Sequence, residues 1–227
     1  MIAPYYHSDR VTLYNADCID VMRDMPDNSV DLILTDPPYG IGESKEKNLS
    51  RGKLTTPTNY GHYEWDDKPM TNEQKDECLR VSRNQIFFGG NYFELPPSPC
   101  WIVWDKDNGK SDFADCELAW TSFKTAVRIF KWRWQGMLQE DMKHKEVRVH
   151  PTQKPVPLME WIIANYSNPN DLIFDGFMGS GSTGVAAMKL NRRFIGVELS
   201  EEYCEIAKAR IHAAELMAEA DLFKPKG

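Results

Sequence analysis

The sequence has no run approaching the ~20 consecutive apolar residues of a membrane span. The first ten residues, Met1 to Arg10, lack the apolar core of a secretory signal, so a cytoplasmic protein is expected. Cysteine is sparse: five residues, at 18, 78, 100, 116 and 204, with no Cys-x-x-Cys pair. That spacing argues against a disulfide framework and a zinc site, and predicts reduced, mostly buried thiols. The five histidines, at 7, 62, 144, 150 and 212, do not form a metal set, and no metal is expected. Positive charge is also in deficit. The net charge of −7 argues against a protein that coats nucleic acid by charge alone. Aromatics are plentiful: seven Trp, nine Tyr and ten Phe exclude disorder on composition. A chain of 227 residues suits one domain over 1–227.

The average charge hides an asymmetry. Lys124 to Lys154 carries eight Lys/Arg against three Asp/Glu, a balance of +5. The remainder therefore carries −12. Lys45 to Lys53 is a second basic patch, four Lys/Arg against Glu46. These are either solvated loops or a phosphate-facing surface on an acidic body.

The order of elements is legible in outline. Val11 to Ala16 reads as a strand with Asp17 at its end, and Val30 to Thr35 as a fully buried strand. Gly40 to Asp67 has no clean period and reads as a long loop. A helix is predicted over 71–83, with strands over 85–88, 101–104, 117–123 and 126–134. Residues 135–149 are polar and read as a second loop. Pro155 to Tyr166 has helical spacing behind an initial proline. A strand over 172–174 ends in Asp175, a small-residue helix runs to about Leu190, and a strand over 194–197 ends in Glu198. Ser200, Glu201 and Glu202 cap a final helix. Alternating strands and helices imply a largely parallel sheet covered on both faces.

Asp175-Gly-Phe-Met-Gly-Ser-Gly181 joins a strand to a helix. Its spacing, Gly-x-x-Gly-x-Gly, is not the dinucleotide fingerprint, and a carboxylate before the first glycine would repel a pyrophosphate. It would attract an ammonium group. S-adenosylmethionine offers an ammonium, a sulfonium and two ribose hydroxyls but no phosphate, and Glu198 stands where it could accept from the hydroxyls. A tight turn with a capping Asp remains the plain alternative. Asp36-Pro37-Pro38-Tyr39 ends a buried strand in a stiff turn. It offers a carboxylate, carbonyl acceptors and an aromatic face, which suit a flipped-out base bearing an exocyclic amine. Accepting both amine hydrogens, on Asp36 and the Pro37 carbonyl, would localise the nitrogen lone pair for attack on a methyl group.

These motifs resemble the β-type amino-methylating DNA methyltransferases, which modify adenine N6 or cytosine N4. Asp36-Pro-Pro-Tyr39 is similar to their catalytic motif, and Phe177-Met-Gly179-Ser180-Gly181 after Asp175 to their cofactor loop. His150-Pro-Thr-Gln-Lys-Pro155 is similar to a stretch of that subclass, in which the catalytic motif also comes first. The resemblance implies a circularly permuted, Rossmann-like α/β fold with a seven-stranded, mixed, mostly parallel sheet and helices on both faces. It implies S-adenosylmethionine as cofactor, with Asp17 at its adenine, Glu198 at its ribose, and Asp175 at its methionine end. Thr152 and Lys154 border that end, and Asp36 also faces the cofactor. Two departures stand out: Gly176 where relatives usually have Pro, and Ser182 where Thr is common.

The activity so implied is DNA methylation of the kind found in restriction–modification systems. Direct in-line transfer needs no covalent adduct, so Cys100 after Pro99 is not expected to be a nucleophile. Adenine is expected over cytosine because Asp-Pro-Pro-Tyr is the more usual adenine form. A protein-glutamine methyltransferase, a nicotinamide reductase and a catalytically silent DNA-binding relative are the rivals. Only 40–67 and 135–149 are free to reach duplex DNA. Arg51, Lys53, Trp65, Arg133, Lys143, Lys145 and Arg148 are the candidate contacts. So little recognition surface implies a short site, relaxed specificity, or a homodimer that shares recognition.

Overall fold

The computed structural model describes residues 2–40, 69–109, 114–135 and 138–222. Apolar runs become the centre of one sheet. β2 (Val11–Asn15), β3 (Val30–Thr35), β4 (Ser82–Phe88), β10 (Leu172–Asp175) and β11 (Arg193–Glu198) are parallel neighbours in the order β2-β11-β10-β3-β4. Their buried residues, among them Leu13, Leu32, Ile33, Leu34, Ile86, Phe174 and Phe194, are sealed from water on both faces. Continuous apolar strands of this kind are stable only under helices.

Beyond β4 the sheet turns antiparallel. β6 (Cys116–Thr121) pairs antiparallel with both β4 and β5 (Trp101–Asp105). β7 (Arg128–Lys131) closes that edge parallel to β5, and β1 (Tyr6–His7) lies antiparallel on β2 at the other. Among the described residues the sheet thus holds nine strands, the expected seven with a short strand added at each edge. β8 (Trp134–Gln135) and β9 (Leu138–Gln139) form a separate pair at the start of the expected 135–149 loop, taking in Trp134 from the strand expected before it.

The helices are α1 (Cys18–Met22), α2 (Asn72–Val81), α3 (Val156–Tyr166), α4 (Ser182–Lys189) and α5 (Glu201–Leu222). Thr71 and Gln74 build a reciprocal capping box at the start of α2. The expected helix over 71–83 stops at Val81, and β4 begins three residues before the expected 85. Ser82 turns its hydroxyl back onto the Cys78 carbonyl and its backbone pairs with Val30. The expected strand over 126–134 likewise breaks at Lys131 before the short hairpin. Cys18, Cys78, Cys100 and Cys204 are buried, Cys116 is exposed, and all five are free thiols. Trp104, Trp120 and Trp134 are core residues. Their indole N–H groups donate to the carbonyls of Trp132, Pro96 and Gln153. Among the described residues no helix is long and apolar enough to cross a membrane, and no group of three or more His, Cys, Asp or Glu could hold a metal ion.

Candidate active site

Four adjacent parallel strands each deliver one acidic residue at or just beyond their carboxyl ends: Asp17 after β2, Glu198 on β11, Asp175 on β10 and Asp36 after β3. The chain leaves β10 toward β11 and leaves β3 toward β4, so strand order reverses between them. Such switch points are where open α/β sheets bind ligands.

Asp175 is 3% exposed. Its Oδ1 accepts from the Thr35 hydroxyl at 2.6 Å and the Phe177 N–H at 3.1 Å, and its Oδ2 from the Thr183 hydroxyl at 2.7 Å. Burial still pushes its carboxyl up to about 6, helped by the charge of Asp36. Glu198 accepts from the backbone N–H of Gly179 and of Ser200, both at 2.9 Å. Burial raises it too, against those two donors, and Asp175 adds to the rise. Asp17 caps α1 by accepting from the Ile19 N–H. Asp36 therefore opposes the Asp175 charge, and Asp175 that of Glu198, among groups removed from water. A ligand carrying positive charge relieves that opposition, whereas a phosphate worsens it.

The turn between β10 and α4 is tied down from three sides. The Met178 N–H donates to the Val197 carbonyl at 3.0 Å, and Arg210 on α5 donates to the carbonyl and hydroxyl of Ser180. Gly181 sits at φ +80°, and a Cβ there would lie 3.0 Å from both Ala207 and Ile211. Only glycine meets both demands. These residues fit S-adenosylmethionine: a backbone cradle that side chains would fill, lined by carboxylates.

The Asp36–Tyr39 turn is stiff and crowded. The Pro38 carbonyl accepts from the Met70 N–H at 3.0 Å. The Tyr39 hydroxyl donates to Asp36 Oδ1, and the Lys154 ammonium contacts Asp36 Oδ2. Lys154 is 7% exposed and Asp36 18%. Burial drives the Asp36 carboxyl up, Lys154 pulls it back, and Glu117 on β6 pushes it up again. Lys154 also lies 3.2 Å from Glu117, whose other oxygen meets Lys106 at 2.5 Å. The Tyr39 ring stacks on Tyr92, with centroids 4.9 Å apart and planes 13° from parallel, and meets Phe93 edge-on.

Gly89 (φ +64°) packs directly on that ring: a Cβ there would fall 2.1 Å from Tyr39 Cε1. Gly89→Ala is therefore expected to displace Tyr39 and lower base-dependent methyl transfer by about tenfold or more while cofactor binding holds. Parallel turnover and calorimetric titrations check this. Transfer at the wild-type rate would show that the Tyr39 position does not matter.

The structure gathers Asp17, Asp36, Tyr39, Thr152, Lys154, Asp175, Phe177, Gly179, Ser180, Gly181 and Glu198 around the strand ends. His150 is buried edge-on against Tyr203. Burial, with the Lys154 charge, lowers it to about 4, so the ring is neutral, and its Nδ1 accepts from the Thr152 N–H at 3.2 Å. Among the proposed DNA contacts, Lys143 and Lys145 are exposed on the loop after β9. Arg133 is paired with Asp107, and Arg148 donates to the Pro151 carbonyl at 2.9 Å and lies over the Trp134 ring. Arg51, Lys53 and Trp65 lie outside the described residues. Thr35, Thr183, Glu117, Lys106, Tyr92 and Arg210 escaped sequence reasoning. The only hint was a charged residue, Glu117, inside an otherwise apolar strand.

Comparison with known proteins shows which family and fold the chain resembles. An N6/N4 DNA methylase family model matches residues 59–209. The type II methyltransferase M2.MboI of Moraxella bovis is 28% identical over 254 residues, covering 93% of this chain and 92% of that protein. The crystal structure of M1.HpyAVI in complex with S-adenosylmethionine is 26% identical with a TM-score of 0.54, covering 88% of this chain and 99% of that one. PvuII DNA methyltransferase, which is cytosine-N4-specific, superimposes with a TM-score of 0.58 at 17% identity, covering 95% of this chain and 94% of that one. At that identity the likeness speaks to the fold alone.

Proposed function

The chain belongs to the N6/N4 DNA methylase family, and on that premise we propose that it transfers a methyl group from S-adenosylmethionine to N6 of adenine in duplex DNA. The observation that carries this reading is the Asp36 carboxylate, held at the end of a buried strand beside Tyr39 and within electrostatic reach of Asp175. S-adenosylmethionine, when bound, supplies a methyl group on a sulfonium, whose leaving group is a neutral thioether. Asp36 accepts one amino hydrogen and the Pro37 carbonyl the other, which localises the nitrogen lone pair. Tyr39 stacks on the extruded base. Glu198, Asp17 and Asp175 hold the ribose, adenine and methionine ends of the cofactor, and the turn from Phe177 to Gly181 cradles it, with Thr152 and Lys154 at the methionine border. The nitrogen, cationic after transfer, then releases one proton to water, and catalysis is positioning and electrostatics.

Cytosine N4 is the second reading, since the same turn would polarise either amine. The deciding experiment incubates the protein with labelled S-adenosylmethionine and mixed-sequence duplex DNA, then digests the DNA to nucleosides for mass spectrometry. N6-methyladenine supports the proposal. N4-methylcytosine keeps the mechanism and replaces the base. Cofactor binding with no methylated base favours a silent DNA-binding relative.

The exposed loop after β9 is the described surface best suited to phosphate. Replacing Lys143 and Lys145 together by Ala is expected to weaken binding on every DNA sequence. The slope of log affinity against log salt should flatten by about 2, near one unit per lost phosphate contact. Fluorescence anisotropy across a salt series measures it. An unchanged slope puts the DNA on another face.

A further inference from the structure

Both oxygens of Asp36 are engaged, Oδ1 by the Tyr39 hydroxyl and Oδ2 by the Lys154 ammonium. An incoming amino group has to share or displace one of these donors. Lys154 cannot withdraw into water, because it is 7% exposed and its ammonium lies 5.1 Å from the centre of the Phe88 ring. A buried ammonium that loses its carboxylate is strongly destabilised. Among the described residues the destination is Glu117. Its Oε2 is buried and already stands 3.2 Å from Lys154 Nζ, in ion-pair contact with the ammonium. Its Oε1 is anchored at 2.5 Å by Lys106, so the carboxylate cannot swing out to solvent. Glu117 lies opposite Trp104 on the antiparallel strand pair, and Lys154 contacts both it and Asp36.

We infer that Glu117 is a positioning residue for methyl transfer: its Oε2 is the acceptor to which the Lys154 ammonium moves when the amino group of the target base takes up the Asp36 carboxylate. This rests on the reading of Asp36 as the acceptor of the amine. The move transfers no proton and breaks no covalent bond; one ammonium exchanges one carboxylate for another. The ionisable groups facing the pair are Tyr39, Asp175 and His150, with Lys106 behind Glu117.

The test compares wild type, Glu117→Gln and Glu117→Ala, using labelled S-adenosylmethionine and mixed-sequence duplex DNA. Both variants are expected to lose 10- to 100-fold in kcat with KM for S-adenosylmethionine unchanged within twofold. Glu117 raises the Asp36 carboxyl, so the acid limb of the kcat profile moves to lower pH in Glu117→Gln. A merely structural glutamate would leave kcat in Glu117→Gln near wild type even as that limb moves. Wild-type kcat and pH profile in Glu117→Gln overturn the inference while leaving the methyltransferase intact. A wild type that transfers no methyl group overturns the inference together with the reading beneath it. Should both variants fail to fold, labelled wild type decides. With S-adenosylhomocysteine bound, adding the duplex is expected to shift the Lys154 ¹⁵Nζ and Glu117 carboxyl ¹³C resonances together. A Glu117 resonance that stays put sinks the idea.

Discussion

Asp36→Asn is expected to lower single-turnover methyl transfer by at least 10² to 10³-fold, the scale of losing one preorganised polar group at a reacting centre. The amide is nearly isosteric, so the turn set by Pro37 and Pro38 keeps its shape. What changes is the direction of hydrogen bonding. A carboxylate only accepts, on about four lone-pair sites, whereas the amide gives one of its two ends over to donation. In the native site one oxygen serves Tyr39 and the other Lys154. The variant cannot serve both and also take a hydrogen from the base. Loss of charge at Asp36 also leaves Lys154 with a single carboxylate. Glu117, 3.2 Å away, still pairs with that ammonium. Stability should therefore fall by about 1–3 kcal/mol, short of the 3–5 kcal/mol of an abandoned buried charge. Rapid-quench transfer and urea melts measure the two effects. Transfer within tenfold of wild type would remove Asp36 from the chemistry.

The parts of this site that were readable from sequence are those whose causes are local. A parallel strand buried on both faces is a continuous apolar run, and Val30–Thr35 stands out between Pro26 and Pro37. The acids at strand ends and the glycine turn carry their own punctuation, so the positions of Asp36, Asp175 and Glu198 at strand ends were readable. Where no breaker marks a boundary, the reading slipped. Nothing but Val81-Ser82 separates α2 from β4, and the strand starts earlier than its hydrophobicity suggests. The two-residue strands β1, β8 and β9 are set by pairing rather than by pattern. Glu117 was invisible for a deeper reason. In Cys-Glu-Leu-Ala-Trp-Thr it looks like a solvent-facing residue of an alternating strand. Only the antiparallel insertion of β6 between β4 and β5, a contact between distant segments, carries it to Lys154 and so to Asp36.

Asp175→Asn should pull stability and cofactor affinity in opposite directions. The Asp175 carboxyl is raised from 3.8 to about 6 by burial. Below pH 4 it is neutral in both folded and unfolded chains and costs nothing. As pH climbs from about 4 to about 6 the unfolded chain releases its proton first, and the native state loses about 3 kcal/mol relative to acid conditions, at 1.36 kcal/mol per unit. Above about 6 the penalty is constant. An asparagine removes it without orphaning a partner. Its Oδ1 can accept from Thr35 and the Phe177 N–H, and its Nδ2 can donate to the Thr183 hydroxyl, which accepts as readily as it donates. The variant is expected to gain about 1–3 kcal/mol at pH 8 and nothing at pH 4. A carboxylate kept where an amide would be more stable points to a role in binding. The role that fits is pairing with the cofactor's ammonium, so affinity for S-adenosylmethionine should fall by about 100-fold, within the 2–5 kcal/mol typical of a buried charge pair that loses one member. Thermal melts at the two pH values and calorimetric titration read both halves. If stability rises and affinity holds, Asp175 is scaffold and the ammonium lies elsewhere. If stability falls instead, the three hydrogen bonds outweigh the charge, and burial of that carboxylate is less costly than its surroundings imply.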